Sequence, residues 1–423
     1  MERVTPLPPA RPASWKWWIC GLLLLASTIN YMDRQTLANA AVRITHQFAL
    51  TQEQYGDLEK WFGWAFAAGS CLLGILADRL PVRWLYPGVL ALWSMVGFAT
   101  GRVGSYDGLV VCRTLLGLFE GGHWPCAIKT TQRLLEARDR ALGNSVLQSG
   151  TSIGAIVTPL VMQAMLTAQL DSWRQPFQVV GAAGLAWVGL WFALVRSNDL
   201  SVPTSNPAAS AASATSSGPG SSPGILSLCF TRRMLVLFFA VAAINTCWQT
   251  LRAWLPKFLE QGRGYAESEA LYFNSVFYVA TDLGCLGAGV LTAWLVRRGR
   301  TVDGARLGVF FGCALVAALT LMVAWLPRGW PLLGVLLLVG AGTLGLFPIY
   351  HAFTQEISSA HQGKVTGITG VAAWILSSPA QTYFGRLVDR TGSFDLGLAV
   401  TGCLPLLAAC ALWWFWKPRA APA

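Results

Sequence analysis

The chain has 423 residues, of which 54% are hydrophobic and 12% are charged. Because soluble proteins carry about 25% charged residues, this composition excludes an ordinary cytosolic enzyme, and the mean hydropathy of +0.49 excludes a disordered chain. The formal net charge of +11 would suit a nucleic-acid-binding protein, but the lysines and arginines fall between apolar stretches. The charge therefore indicates membrane topology and contact with anionic lipid, and we expect no nucleic-acid partner.

Apolar stretches long enough to cross a bilayer follow one another along the chain. The first six lie at 15–41, 55–77, 84–102, 108–131, 141–166 and 176–196. The second six lie at 232–259, 268–296, 305–326, 330–355, 364–388 and 393–416. The sequence therefore predicts an all-α membrane protein with twelve transmembrane helices in two six-helix halves.

A polar segment of low complexity, from Asn198 to Leu228, separates the two sets. Its serine, alanine, glycine and proline residues bury too little apolar surface to order the backbone. We therefore predict an N-terminal half at 1–197, a flexible linker at 198–230 and a C-terminal half at 231–423.

The distribution of cationic residues predicts the orientation of the chain. If the N-terminus is inside, nineteen lysines and arginines fall in the inner segments and nine fall in the outer ones. Inner loops of membrane proteins carry this excess. We therefore expect a multi-pass protein of the cell inner (plasma) membrane with both termini and the linker in the cytoplasm.

The turn after the second predicted helix carries a charged motif. Two six-helix halves joined by a cytoplasmic linker resemble the major facilitator architecture, whose signature at this turn is Gly-x-x-x-Asp-Arg-x-Gly-Arg-Arg. The motif is present here as Gly74, Asp78, Arg79 and Arg83, although Pro81 replaces a glycine and a valine replaces a basic residue. The resemblance implies a gate clamp, in which Asp78 pairs with helix-end dipoles and arginines to lock the outward-facing state.

The first predicted helix carries an acid and a base side by side, Asp33 and Arg34. A charge at the bilayer centre costs about 2.5 to 3.5 kcal/mol, so each needs a partner or an aqueous cavity. Adjacent residues point about 100° apart on a helix, which predicts different partners for the two. The planar fork of Arg34 favours an anion-binding role, and a structural ion-pair network is the alternative.

The fourth predicted helix carries Arg113 and Glu120, two turns apart on one face and about 10 Å from each other. An anion that competes with Glu120 for an arginine would change the protonation of Glu120 and couple a proton to that anion. The alternative is a static pair of Arg113 with Glu120 or Asp33. His123 would extend a proton relay from Glu120, or it is a packed neutral imidazole. Four residues predict a closely packed, kinked helix: Gly117, Gly121, Gly122 and Pro125.

These stretches resemble the anion:cation symporter family of the major facilitator superfamily, which includes bacterial hexuronate, galactonate and glucarate permeases and animal sialate and vesicular glutamate carriers. The family's Asn-Tyr-x-Asp-Arg pattern is present as Asn30, Tyr31, Asp33 and Arg34. Its Arg-x-x-x-Gly-x-x-Glu pattern, followed by a proline, is present as Arg113, Gly117, Glu120 and Pro125. Further matches lie at Trp173, Arg174, Phe177, 254–259, 282–284 and 392–394.

The resemblance implies roles for four of these residues. Arg34 would contact the substrate carboxylate, Asp33 and Glu120 would carry protons, and Arg113 would modulate them. Phe66 stands where the galactonate carrier has a tyrosine, and the eleventh helix lacks the asparagine expected to bind a sugar. The identity of the sugar acid therefore stays open.

The second half offers two polar helix faces. They consist of Asn245, Gln249 and Arg252 on the seventh helix and Asn274, Tyr278 and Asp282 on the eighth. These side chains would bind substrate hydroxyls, with Asp282 a further proton-coupling candidate, or they would hold helices together by hydrogen bonds. The remaining cavity candidates are Tyr31, Phe66, Gln148, Thr151, Trp374 and Ser377.

Together these patterns predict a proton-coupled symporter that imports an organic anion, most simply a sugar acid such as a hexuronate or aldonate, by alternating access. The alternatives are a transporter of another carboxylate, an efflux carrier and, from another class, an intramembrane transferase. No histidine pair has metal-ligand spacing and no phosphate-binding loop occurs, so we expect no metal and no cofactor. We expect the carrier to function as a monomer.

Overall fold

The computed structural model describes residues 14–136, 139–196, 199–200, 229–357 and 362–416. Within these ranges the chain forms fifteen α-helices and no strand. In the N-terminal half they are α1 Trp15–Asn39, α2 Ala41–Gln47, α3 Gln52–Arg79, α4 Val82–Thr100, α5 Tyr106–Glu120, α6 His123–Leu134, α7 Arg140–Met165 and α8 Arg174–Leu194. In the C-terminal half they are α9 Arg232–Lys257, α10 Glu267–Arg297, α11 Val302–Ala317, α12 Thr320–Val323, α13 Trp330–Ile357, α14 Gln362–Thr391 and α15 Asp395–Phe415.

The described helices form twelve rods, because α6 continues α5, α12 continues α11, and α2 is a short connection. This confirms the predicted all-α fold of twelve transmembrane helices. By length and apolar composition alone, eight helical segments of the described chain qualify as membrane spans. The other four rods are α1, α4, α14 and the broken α5–α6 pair. The predicted linker lies almost wholly outside the described residues, so the domain boundaries remain a prediction.

The predicted kink in the fourth rod is confirmed as a break between α5 and α6 at Gly121 and Gly122. The rod packs closely on α3 because, at two points along the contact, a glycine of one helix faces the backbone of the other. A Cβ atom added at Gly117 would overlap the carbonyl group of Phe62, and one added at Gly69 would overlap that of Leu118. Backbone can approach this closely only where no side chain intervenes.

The two halves close on each other at the end of the bundle where α3 begins. Asp389 of α14 accepts hydrogen bonds from the backbone N–H groups of Gln52, at 2.9 Å, and Glu53, at 2.8 Å. Arg386 donates to Glu53 at 2.5 Å. We call this face the closed end. Among the described residues, the hydrogen bonds that join the two halves lie either halfway along the helices or nearer to the closed end.

A second connection at the closed end joins α2 to α10. Both Nε and Nη2 of Arg43 donate to the carboxylate of Glu267, each at 2.6 Å. Beneath these polar contacts a hydrophobic core spans both halves, with the Tyr55 and Trp254 rings 4.9 Å apart between centroids. The opposite end of α3 carries Asp78. The bundle is therefore in a conformation sealed at one face, with the sequence-predicted site residues near its middle.

Candidate functional site

Arg34 lies in the middle of α1 and is almost completely buried. Its Nε donates to Glu120 Oε2 at 2.6 Å, and its Nη2 donates to Asn30 Oδ1 at 3.1 Å. A charged hydrogen bond of this length, away from water, is stronger than a neutral one. The ion pair of Arg34 with Glu120 is therefore the electrostatic centre of the N-terminal half.

Four aromatic rings surround the Arg34 guanidinium carbon. Their centroids lie 4.6 Å away for Phe66, 5.4 Å for Phe62, 5.9 Å for Trp374 and 6.0 Å for Tyr31. Aromatic faces attract a cation within about 6 Å. The structure thus brings three predicted residues to Arg34, and Trp374 does so from the C-terminal half.

Glu120 and Asp33 each keep unbonded carboxylate oxygen in the described structure. Glu120 is the last residue of α5, at the helix break, and its Oε1 has no hydrogen-bond partner among the described residues. Neither carboxylate oxygen of Asp33 has one, and Asp33 Oδ1 lies beside Gly97 of α4, where a Cβ atom would be 2.8 Å away. As predicted, Asp33 and Arg34 do not pair with each other, but the described structure shows no separate partner for Asp33.

Arg113 does not pair with Glu120 or Asp33, as the static alternative required. Its Nη2 donates to Glu59 Oε1 of α3 at 3.1 Å, and its guanidinium carbon lies 4.4 Å from the centre of the Phe62 ring. The close approach of α3 and α5 at their glycines brings Glu59 to Arg113. The static alternative is therefore wrong about the partner of Arg113, which forms an ion pair with Glu59.

Glu59 is the functional candidate that our sequence reasoning missed. It is buried, and its second oxygen, Oε2, accepts from Arg252 Nη2 of α9, so it joins the two halves. The indication was available, because Glu59 lies inside the apolar stretch 55–77, where a charge needs a partner. Its neighbour Lys60 is not that partner and forms an ion pair with Asp57 at 2.5 Å.

The predicted polar face of α9 forms a continuous hydrogen-bonded chain. Arg252 Nε donates to Gln249 Oε1 at 2.6 Å, and Gln249 Nε2 donates to Asn245 Oδ1 at 3.4 Å. Asn245 Nδ2 then donates to Ser377 Oγ of α14 at 2.7 Å. Four predicted residues therefore lie in one buried network that begins at Glu59.

The predicted polar face of α10 turns toward the N-terminal half. Its three residues contact α1 and α7 there: Asn274 Nδ2 donates to Asn39 Oδ1 at 2.8 Å, Tyr278 Oη accepts from Gln35 Nε2 at 2.5 Å, and Asp282 Oδ1 accepts from Ser152 Oγ at 3.0 Å. Gln35 and Asn39 were not singled out in the sequence. Both residues lie on α1 between Arg34 and the closed end, so their amides extend the polar part of that helix.

Gln148 and Thr151 lie on α7, where Gln148 Nε2 donates to Thr151 Oγ1 at 3.2 Å. Gln148 is exposed and Thr151 is partly buried. Gly154, one turn further, packs on Tyr31. These two residues therefore border the site from α7, and no hydrogen bond among the described residues ties them to Arg34.

His123 is a packed imidazole. Its Nε2 lies 3.0 Å from Ser27 Oγ, its Nδ1 lies 3.0 Å from Tyr86 Oη, and its ring centroid is 5.9 Å from that of Trp93. Both ring nitrogens thus have partners other than Glu120, which contradicts the relay alternative. No group of three or more metal-ligand side chains is gathered anywhere in the described part of the chain.

The gate motif lies at the end of α3 opposite the closed end. Asp78 is mostly exposed and accepts from Lys129 Nζ of α6 at 3.1 Å, so its partner is a lysine of the same half rather than the expected arginine. Arg83 Nε donates to the carbonyl of Val195 at 3.2 Å, and Arg79 is exposed. A Cβ atom added at Gly74 would lie 3.8 Å from the ring of Pro125.

Two facing helical halves around a buried arginine–carboxylate site define the class of membrane transporters that work by alternating access. Residues 23–380 match the Major Facilitator Superfamily, and the chain belongs to it. It is a multi-pass membrane transporter, not an enzyme, which removes the transferase alternative.

Comparisons with single proteins agree with this assignment. The chain is 27% identical over 402 residues to a probable L-galactonate transporter of Escherichia coli, covering 92% of this chain and 87% of the relative. It is 24% identical over 430 residues to a hexuronate transporter of the same species, covering 94% and 93%. A solved bacterial homologue of the human lysosomal transporter Spinster, in an inward-facing and occupied conformation, superposes with a TM-score of 0.77 at 15% identity, covering 98% of this chain and 100% of that one.

Proposed function

We propose that this protein is a proton-coupled symporter that imports a sugar acid such as a hexuronate or an aldonate. The observation that carries the proposal is the Arg34–Glu120 ion pair inside its aromatic cage. The names of the two relatives support the substrate class. The buried arginine supplies the charge that an anion needs, and the adjacent carboxyl group supplies a place for a proton.

Competition for one guanidinium would couple the two ions. Glu120 Oε2 accepts a hydrogen bond from Arg34 Nε. When a substrate carboxylate takes that donor, Glu120 remains buried without a partner, and a buried carboxylate without a donor is more stable after it binds a proton. Substrate and proton then occupy the site together. Asp33, buried with neither oxygen bonded in the described structure, is a second site for a proton.

The C-terminal half would recognise the hydroxyl groups of the substrate. Asn245, Gln249, Asn274 and Tyr278 present amide and phenol groups at the depth where the halves meet. Such groups both donate and accept hydrogen bonds, as sugar hydroxyls require. Gln148, Thr151 and Ser377 would extend this polar wall.

The charge distribution supports an orientation for the two faces. With the cationic segments in the cytoplasm, the Asp78 end faces inward and the closed end faces outward. The described conformation would then be the inward-open one. Transport would require the contacts of Asp389 and Arg43 to break so that the outer face can open.

Uptake by purified protein in liposomes tests the proposal. Labelled glucuronate, galactonate, glucarate and glutamate are offered with and without an inwardly directed proton gradient. We expect glucuronate and galactonate to be concentrated only when the gradient is present, and glutamate to be transported poorly. Accumulation driven by a sodium gradient alone, or accumulation of none of the sugar acids, would contradict the proposal.

A further inference from the structure

We propose that Glu59 is a built-in counter-anion that sets the charge of the cargo, so that the site accepts acids with one negative charge and disfavours those with two. The inference rests on the proposed function and concerns the same site. It starts from the position of Glu59 between two arginines, one from each half.

The carboxylate of Glu59 is shared between these arginines in the way that a second substrate carboxylate would be. Oε1 accepts from Arg113 Nη2 and Oε2 accepts from Arg252 Nη2, so each oxygen serves one guanidinium. Glu59 is 3% exposed, which leaves no solvent to share its charge. A resident carboxylate thus occupies the position that a second anionic group would otherwise take.

The two arginines retain further donors. Arg113 and Arg252 are 0% and 2% exposed, and within the described structure Arg113 Nε and Nη1 and Arg252 Nη1 have no hydrogen-bond partner. Buried N–H groups of a cation are costly to leave unpaired. Without the Glu59 charge, these donors and those that Glu59 now uses would be free to bind an anion.

The second anion site would lie beside the first. Both arginines lie against the Phe62 ring, whose centre is 5.4 Å from the Arg34 guanidinium carbon and 4.4 Å from that of Arg113. Two guanidinium groups that contact one phenyl ring are near enough to hold the two ends of one short sugar acid. A dianion is therefore excluded by charge rather than by size.

The charge beside the two arginines gives the same result. Glu59 is ion-paired with both Arg113 and Arg252, so it already offsets part of their charge, whether or not Glu120 carries a proton. A second cargo carboxylate at this position would meet the like charge of Glu59 in a low dielectric.

The matched ligands glucuronate and glucarate test the inference, because they share a six-carbon chain and differ by one carboxylate. Equilibrium binding is measured by calorimetry on purified, monodisperse protein. We expect the wild type to bind glucuronate at least tenfold more tightly than glucarate, and Glu59→Gln to shift this ratio at least tenfold toward glucarate. A Glu59→Gln protein that binds both with the wild-type ratio would show that Glu59 only joins the halves.

A second pair of variants keeps the test decisive if Glu59→Gln fails to fold. Arg252→Gln removes one of the two cations paired with Glu59 and should weaken glucuronate binding at least tenfold. Glu59→Gln with Arg252→Gln restores the net charge of the wild-type site and should recover both affinity and the preference for one charge. A double variant that stays as weak as Arg252→Gln, or that gains glucarate binding, would overturn the inference. Wild-type protein that binds neither ligand would reject the proposed function itself, whereas a ratio insensitive to Glu59 would reject only this inference.

Discussion

Arg34 does two things that a lysine cannot do together. Its planar group donates to Glu120 and Asn30 along its edge while its faces lie against aromatic rings. We expect Arg34→Lys to keep the charge but lower substrate affinity at least tenfold, and Arg34→Ala to abolish binding. Calorimetry on folded protein measures both. Arg328→Ala is the control, because Arg328 pairs with Glu269 in a half-exposed position and should bind as the wild type does. Wild-type affinity in folded Arg34→Ala would remove Arg34 from the site.

Glu120 separates two modes of transport. Glutamine at this position resembles the protonated carboxyl, so the empty and loaded carriers no longer differ by a proton. We expect Glu120→Gln to lose uphill uptake driven by a proton gradient and to retain, at least in part, the exchange of labelled for unlabelled substrate. Both are measured in the same liposomes. A variant that still concentrates substrate with the wild-type pH response would show that the proton travels elsewhere, with Asp33 the next residue to test.

The charged residues of the site could be found from the sequence, but their partners could not. Asp33, Arg34 and Glu120 stand out because a charge within an apolar stretch is costly. Which carboxylate meets Arg113 depends on how closely two helices approach, and this depends on backbone contacts that no spacing along one helix reveals. Glu59 carries the same signal, a charge within an apolar stretch, but its two arginine partners come from different helices and could not be predicted.

At the scale of helices, the approach of α5 to α3 holds Arg113 and Glu120 in place. The Cβ atom of an alanine at Gly117 would overlap the Phe62 carbonyl, and overpacking of this kind costs about 1–3 kcal/mol. We expect Gly117→Ala to lower the unfolding temperature by several degrees and to weaken substrate binding. Gly189→Ala in α8 is the control, because no atom lies within 4 Å of its added Cβ and alanine is the better helix former. Equal unfolding temperatures for the two variants would contradict the close contact.

The number and approximate position of the helices followed from the apolar stretches and from the charged, proline and glycine residues that bound them, because lipid leaves a chain few other ways to satisfy its backbone. The break at Gly121 and Gly122 was also foreseeable from local sequence. The pairing of α3 with α14 was not, because it depends on glycines that face backbone across the two halves. Gly56 meets the carbonyl of Gln381 in this way.

For the whole molecule, the orientation is still a prediction from charge. A reporter that is active only in the cytoplasm, fused between Ser201 and Gly224, should be active. The same reporter fused at Gly264, which lies in a turn at the closed end with a φ of 66°, should be silent. Activity at Gly264 together with silence in the linker would invert the assignment of the two faces.

The closed end has a consequence for how the carrier responds to its medium. Its ion pairs, Arg43 with Glu267 and Arg386 with Glu53, are only partly buried, with side chains 14% to 40% exposed. Attraction between such charges is screened as the Debye length falls from about 10 Å at 0.1 M salt to about 3 Å at 1 M. Ionic strength on this face alone should therefore shift the carrier toward opening there. In a variant without native cysteines, a cysteine at Asn274, which is buried against Asn39, should be alkylated faster as external salt rises. An alkylation rate independent of salt would mean that the apolar contacts below, rather than the ion pairs, keep that face shut.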